Sequence, residues 1–365
     1  MERKKLIDCC EFISDGDHLP PPKSNTGIPF ITISNITEQN KISFNDTMYV
    51  PYEYYNNLGQ TKKVQVGDIL YSVVGSFGKP VYVDFNEKFV FQRHIAILRP
   101  KDNVNGKFLY YTMLNSQFYK LMDKLAIGCS QRTVTLDTLR NVEIDLPDKE
   151  TQDKIVSVLS FIDEKITLNS QINDNLSAMA YDTYMHSFYG KKPNGKLDDI
   201  LIENEKSKVQ VGEAKDSDGD YPFFTSGEAI LRWTNNFVDG RNCFLNTGGN
   251  ADVKFYIGKA AYSTDTWCIS ANQNLADYMY LLLMSIKPEL NKKFFQGTGL
   301  KHLQKPLLRD RPIYIPDEDE ISLFNSHVQH WFDIIAENTR ENQHLSALRN
   351  WLLPMLMNGQ ATISK

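Results

Sequence analysis

Two kinds of hydrophobic pattern alternate along the chain, and each occurs twice. Between residues 28 and 98, short apolar runs rich in β-branched and aromatic residues are cut by Gly, Pro and Asn. The runs at 28–33, 68–74, 80–85 and 90–98 have the length and punctuation of strands. Asn105-Gly106 marks a turn, and 107–124 predicts one amphipathic helix. From about 150 to 189 no Gly or Pro appears, and Ile155, Leu159, Ile162 and Ile166 recur at alternating steps of four and three. That spacing is the seam of a coiled coil. At 1.5 Å per residue such a stretch predicts a rod of roughly 60 Å. Strand-like runs return, more weakly, at 242–245 and 254–262, and Phe324, Val328, Trp331 and Ile335 open a second seam. Gly190 and Gly359 stand where left-handed helix ends need glycine.

The alternation reflects a duplication. GCSQRTVTLDTLRNVEIDLP begins at Gly128, and GTGLKHLQKPLLRDRPIYIP begins at Gly297, 169 positions later. With no gaps the correspondence continues through Leu139-Arg140/Leu308-Arg309, Pro147/Pro316, Ile166/Ile335, Asn169/Asn338, Leu176/Leu345 and Gly190/Gly359. Shared spacing over this length means repetition rather than chance. Upstream the match loosens: Pro29-Phe30-Ile31-Thr32 parallels Pro222-Phe223-Phe224-Thr225, and Gly67-Asp68-Ile69-Leu70 with Gly75 and Gly78 parallels 240–244 with Gly248 and Gly249.

The expected architecture is therefore unit, helix, unit, helix. It is an α+β fold of two globular, β-rich α/β units separated by two long antiparallel helices forming a coiled coil, with an internal pseudo-two-fold repeat. The boundaries fall at 1–147, 148–190, 191–316 and 317–359, with a tail at 360–365. Packing between the helices is expected at Ile155, Leu159, Ile162, Ile166, Asn169 and Leu176, and at Phe324, Val328, Trp331, Ile335, Asn338 and Leu345. Asn169 and Asn338 take the next seam position in each copy. They are either polar residues tolerated near a helix surface or a buried pair that fixes register.

Composition narrows the functions. The net charge is −5. Residues 1–150 carry 18 basic and 18 acidic groups, and 191–320 carry 17 and 19, so neither unit is a basic cloud able to hold DNA by phosphate contacts alone. No run approaches a membrane span, and Asp8, Glu11 and Asp15 interrupt what would be a signal peptide's apolar core. The start is read as a folded, cytoplasmic one. Five cysteines (Cys9, Cys10, Cys129, Cys243, Cys268) form no CxxC or Cys/His cluster. They read as small hydrophobes in a reduced cytosol rather than a disulfide framework or zinc site.

The same sequence carries only fragments of enzyme motifs. Gly297-Thr298-Gly299 lacks the third glycine of a nucleotide-binding loop, and Pro80 replaces the Ser/Thr that a phosphate loop at Gly75–Lys79 would need. Asp163-Glu164-Lys165 lies inside the predicted helix and reads as a solvated face. His327 and His330 sit between Phe324 and Trp331, which suggests packing. No catalytic set, metal site or cofactor loop emerges.

The Gly…Leu-Arg…Pro run leading into a long helix, written twice, resembles the specificity (S) subunit of type I restriction–modification systems. Gly67-Asp68-Ile69-Leu70 with its glycine turn and Phe91-Gln92-Arg93-His94-Ile95-Ala96 are in the same style. GTGLKHLQKPLL is closest to the family wording, and Ser130-Gln131-Arg132 departs from it. The resemblance spans essentially the whole chain. It implies a non-catalytic protein with two target-recognition domains, each reading half of a bipartite site on double-stranded DNA. It further implies that the helices dock methyltransferase (M) subunits, two per chain, with motor–nuclease (R) subunits added for cleavage.

Base readout in the major groove needs Arg or Lys for guanine and Asn or Gln for adenine. Candidates in the first unit are Lys23, Asn25, Ser34, Asn35, Ser76, Lys79, Arg93 and Arg132. In the second they are Ser226, Arg232, Asn250, Lys254, Lys301 and His302. Two other readings compete. One is an enzyme that fuses such a domain to methyltransferase or nuclease chemistry, for which the chain has no unassigned room. The other is a protein-binding scaffold without DNA specificity.

Overall fold

A computed structural model describes residues 2–18, 21–129, 131–272 and 274–363. The chain divides into two compact units: 1–164 with 345–365, and 165–344. Each long helix contributes to both, since Lys149–Ser187 and Glu318–Met357 span the dividing points.

The first unit is built on a four-stranded antiparallel sheet in the order Cys10–Asp15, Ile95–Pro100, Ile69–Ser72, Pro80–Tyr82. A three-stranded sheet accompanies it, with Ile28–Ile31 between Met48–Val50 (antiparallel) and Val90–Phe91 (parallel). Glu2–Lys5 pairs with Glu143–Leu146 just before the first long helix. The second unit repeats this plan strand for strand. Its four-stranded order is Leu201–Glu203, Thr266–Ala271, Arg241–Asn246, Val253–Ile257. Its three-stranded sheet sets Tyr221–Phe224 between Ile230–Trp233 (antiparallel) and Ala261–Tyr262 (parallel). Gly195–Lys196 pairs with Pro312–Ile313 before the second long helix. The looser upstream sequence match thus reflects unequal loops on one topology.

Sequence and structure part in two places. The single helix expected at 107–124 is two, Gly106–Leu114 and Ser116–Leu125. Asn115 ends the first in an extended conformation, and its side chain accepts from Gln117 N at 3.0 Å to cap the second. An asparagine oxygen satisfies an orphan N–H that a continuous helix would not have. The second long helix buries Ile321, Phe324, Val328, Phe332 and Ala336, leaving Trp331 and Ile335 at the margin. That stripe steps by three and then fours, the drift of a straight helix on a globular core. Phe332 lies edge-on to Phe255 and Tyr280 of the second unit's core.

The first long helix divides its faces similarly. Ile155, Val156 and Leu159 join the first unit's core, together with Leu353, Leu356 and Met357 of the second helix. Ala180, Tyr184 and Phe188 join the second unit's core. Ile162 is buried, while Ile166, Leu176 and Leu345 are half-buried. In the second unit the two helices run antiparallel, residue numbers rising along one as they fall along the other. Their seam there is polar. Asn169 Nδ2 donates to Asn342 Oδ1 at 3.0 Å and Glu341 Oε2 at 2.6 Å, and Asn338 Nδ2 donates to Asn173 Oδ1 at 2.9 Å. Asn169 is buried and Asn338 half-buried, and they bond to these second asparagines rather than to each other. Cys9, Cys10, Cys243 and Cys268 are buried thiols and Cys129 is exposed. No helix is long and apolar enough to cross a membrane among the described residues.

Candidate nucleic-acid interface

In each unit one turn of the four-stranded sheet is clasped by the loop that opens the repeated stretch. After strand Ile69–Ser72 the chain turns at Val74 and Gly75. Val74 bridges Thr133, Gly75 N donates to Arg132 O at 2.9 Å, and Val134 N donates to Val73 O at 2.8 Å. After strand Arg241–Asn246 the same three contacts recur. Gly248 bridges His302, Gly249 N donates to Lys301 O at 2.9 Å, and Leu303 N donates to Thr247 O at 2.9 Å. The structural match is therefore Gly75 with Gly249, one residue off the pairing read from sequence.

The clasping loops explain why glycine opens both. Ile127 and Thr133 exchange backbone hydrogen bonds, as a paired Gln296 and His302 do in the second unit, leaving five residues to reverse the chain. Gly128 (φ +93°) and Gly297 (φ +149°) begin that reversal in a region that L side chains rarely adopt. A Cβ on either would stand 2.6 Å from a backbone carbonyl, that of Gln131 or Leu300. Ser130 lies outside the described residues.

A buried polar side chain anchors each turn from below. Ser72 Oγ accepts from Lys79 N at 2.9 Å and donates to Ser76 O at 3.0 Å. Its counterpart Asn246 accepts from Asp252 N at 2.7 Å and donates to Gly248 O at 2.7 Å. Both are almost wholly buried, so their groups must find partners inside. Sequence reading missed them, and the available signal was a polar residue interrupting the apolar runs ILYSVV and CFLNTGG.

The structure sorts the sequence candidates by what their side chains already hold. Asn35 Oδ1 accepts from Thr32 N at 2.9 Å, closing a capping box. Lys79 pairs with Glu38 at 2.6 Å. Arg132 pairs with Asp123 at 3.1 Å and donates to the Asp123 carbonyl at the end of helix Ser116–Leu125, a favourable place for a cation. Ser226 Oγ donates to Asp265 O, and Lys254 Nζ donates to Thr225 O at 3.1 Å and to Gly227 O. These five fasten loops together. Lys23, Asn25, Ser34, Ser76, Arg93, Arg232, Asn250 and His302 are exposed, and Lys301 is half-buried; of these, Arg232 donates to Asp220 O at 3.0 Å and the Ser34 hydroxyl bonds that of Thr32 at 2.7 Å.

Ser76, Lys79, Arg93 and Arg132 come together around the first turn, where Val73 N also donates to His94 O at 2.9 Å. Burial first, and then the Arg93 charge, lower the His94 pKa, which favours a neutral imidazole beside a cationic side chain. Ser34 joins them through the Lys79–Glu38 pair on its loop. Ser226, Asn250, Lys254, Lys301 and His302 come together around the second turn. Lys23, Asn25 and Arg232 do not. Ser24 N bonds Tyr49 O at 2.9 Å, and Arg232 lies in the outer strand Ile230–Trp233, so all three belong with the three-stranded sheets. Each cluster thus sets cationic and polar side chains on short, fastened loops, the equipment for contacting phosphates and base edges. Among the described residues no group of three or more His, Cys, Asp or Glu could hold a metal ion.

Residues 1–178 and 191–342 match the family model described as the type I restriction modification DNA specificity domain. The chain is 30% identical over 142 residues to the HindI specificity subunit of Haemophilus influenzae, covering 37% of this chain. That match spans 31% of the relative's own length. It is 22% identical over 309 residues to the MjaIX specificity subunit of Methanocaldococcus jannaschii, covering 73% of this chain and 71% of that one. In fold it is similar to the S subunit of a type I restriction–modification system from M. genitalium. The TM-score is 0.62 at 13% identity, over 100% of this chain and 96% of that one.

Proposed function

We infer that this chain, which belongs to the type I restriction modification DNA specificity domain family, is the DNA-recognition subunit of such a system. Each unit reads one half of a bipartite site on double-stranded DNA. The observation that carries this reading is the same glycine-opened loop, clasping the same turn beside exposed polar and cationic side chains, in two units of one topology. A protein with two equivalent heads whose recognition loops differ in sequence is suited to two different half-sites. The balanced charge fits a chain whose partners share the phosphate grip.

The partners are methyltransferase subunits docked on the long helices, two per chain, with motor–nuclease subunits joining for cleavage, and the chain contributes no catalysis. The helices support this by exposing large apolar side chains, including Phe161 and Trp351 in the first unit and Leu168, Met179 and Leu323 in the second. These side chains are available for burial against a partner, which would remove apolar surface from water.

Methylation mapping tests the reading. The chain assembled with its methyltransferase subunits should modify a motif of two short half-sites with an unread spacer. Replacing 191–316 with the corresponding unit of a related protein should change one half-site and leave the other. A continuous motif, or a swap that alters both halves, would overturn it.

A further inference from the structure

Gln131 and Leu300 occupy equivalent positions at the crest of the two clasping loops, 169 residues apart. Both are exposed, and Leu300 keeps 65% of its surface in water although its loop neighbours are polar. Neither floats freely. Gln131 Nε2 lies 3.7 Å from where a Cβ on Gly75 would stand, and Leu300 Cδ2 lies 3.7 Å from the same point on Gly248. Each side chain therefore lies across the glycine turn of its own unit. Beneath it, the carbonyls of Arg132 and Lys301 take the clasp bonds at 2.9 Å. The framework is the same, and the chemistry it presents differs.

Resting on the DNA-recognition reading above, we propose that Gln131 and Leu300 are base-contacting, specificity-determining side chains. Gln131 selects an adenine in one half-site and Leu300 selects a thymine in the other. The Gln131 carboxamide makes no hydrogen bond among the described residues, and it offers a donor and an acceptor side by side. That pair matches N7 and N6 of adenine in the major groove. A leucine has no hydrogen bond to offer, but the thymine C5-methyl is the one apolar group on the major-groove edge of a base. Contact with it buries surface that the free protein leaves in water. Arg132, next in sequence to Gln131, is tied back to Asp123 at the end of its own helix, which leaves Gln131 as the reading residue on that loop.

The test uses the chain assembled with its methyltransferase subunits. The wild-type methylated motif is mapped first, and binding is then measured on duplexes bearing that motif. Replacing thymines by uracil one at a time removes only the methyl group. One such replacement, in the half-site read by the second unit, should weaken wild-type binding several-fold and leave Leu300→Ala unaffected. Replacing adenines by 7-deazaadenine should identify one position, in the other half-site, where wild type loses about tenfold and Gln131→Ala loses nothing further. Melting temperatures of both variants should match wild type, since both side chains are exposed. Exchanging the residues (Gln131→Leu with Leu300→Gln) should move each preference to the opposite half-site. If wild type shows a bipartite motif and neither variant changes any position in it, the assignment is overturned while the recognition reading stands. If wild type methylates no bipartite motif, that reading fails and the assignment fails with it.

Discussion

The Asn169 carboxamide donates to that of Asn342 at 3.0 Å, and the equivalent bond recurs between Asn338 and Asn173 at 2.9 Å. The two pairs exchange under the repeat: Asn338 lies 169 positions after Asn169, and Asn342 lies 169 positions after Asn173. The supporting bonds repeat as well: Asn342 Nδ2 reaches Ile166 O at 3.2 Å, and Asn173 Nδ2 reaches Ile335 O at 3.5 Å. Four asparagines thus fix the helix register through reciprocal bonds, and sliding either helix by one turn would strand all of them.

Truncating one member should cost more than replacing a pair. Asn342→Ala leaves the buried Asn169 without its carboxamide acceptor and should destabilise by about 1–3 kcal/mol. Changing Asn169 and Asn342 together to leucine should approach wild-type stability while loosening register. A thermal-melt double-mutant cycle that came out additive would show the two side chains to be uncoupled.

Arg99 grips Asp68 with Nε and Nη2, both at 2.8 Å, where the Asp68 side chain is 2% exposed. Arg99→Met should cost about 3–5 kcal/mol, because it leaves a buried charge unpaired. Urea denaturation is the measurement, and a change below 1 kcal/mol would contradict the geometry.

Gly128→Ala and Gly297→Ala should each cost about 1–3 kcal/mol, for positive φ and for a Cβ driven against a carbonyl. Each should blur its own half-site only, read by methylation mapping alongside the melting temperature.

Asp277 lies in the first turn of helix Ala276–Ser285, 3.6 Å from Arg241, which also bonds Asp333 at 2.7 Å. Burial pushes its pKa up to about 7 from an ordinary 3.8; Arg241 pulls it down, and Asp333 adds to the rise. The buried Cys243 thiol shares this pocket of charge. The folded state then holds a proton that the unfolded state releases between about pH 4 and 7. This contribution is complete below pH 4 and lost as pH rises through 7, on the order of 4 kcal/mol. Asp277→Asn should flatten that part of the stability–pH curve, and an unchanged difference curve between variant and wild type would exclude the effect.

Much of this was legible in the sequence because duplication doubles every signal. Gly128 and Gly297 could be paired without knowing that each faces a carbonyl, and the first helical stretch declares itself by lacking Gly and Pro, the second by repeating its apolar spacing. What stayed hidden depends on partners distant in sequence. Asn173 and Asn342 look like ordinary helix-surface residues until the facing helix is placed. Arg132 looks available until Asp123 and the end of its helix are seen to hold it. The stripe through Phe332 differs from the expected one through Trp331 because a globular core, not a second helix, covers that face.

The clasp that shapes each crest loop is made of main chain: an amide of Gly75 or Gly249 and a carbonyl of Arg132 or Lys301. Main-chain bonds are indifferent to the side chains carried by the residues that form them. Apart from the opening glycine, the crest can therefore be rewritten, as glutamine against leucine already illustrates, with little loss of foldedness. If these loops read DNA as proposed, selection for a new target would draw on positions whose substitution costs almost no stability, and target preference could drift while the scaffold stays fixed.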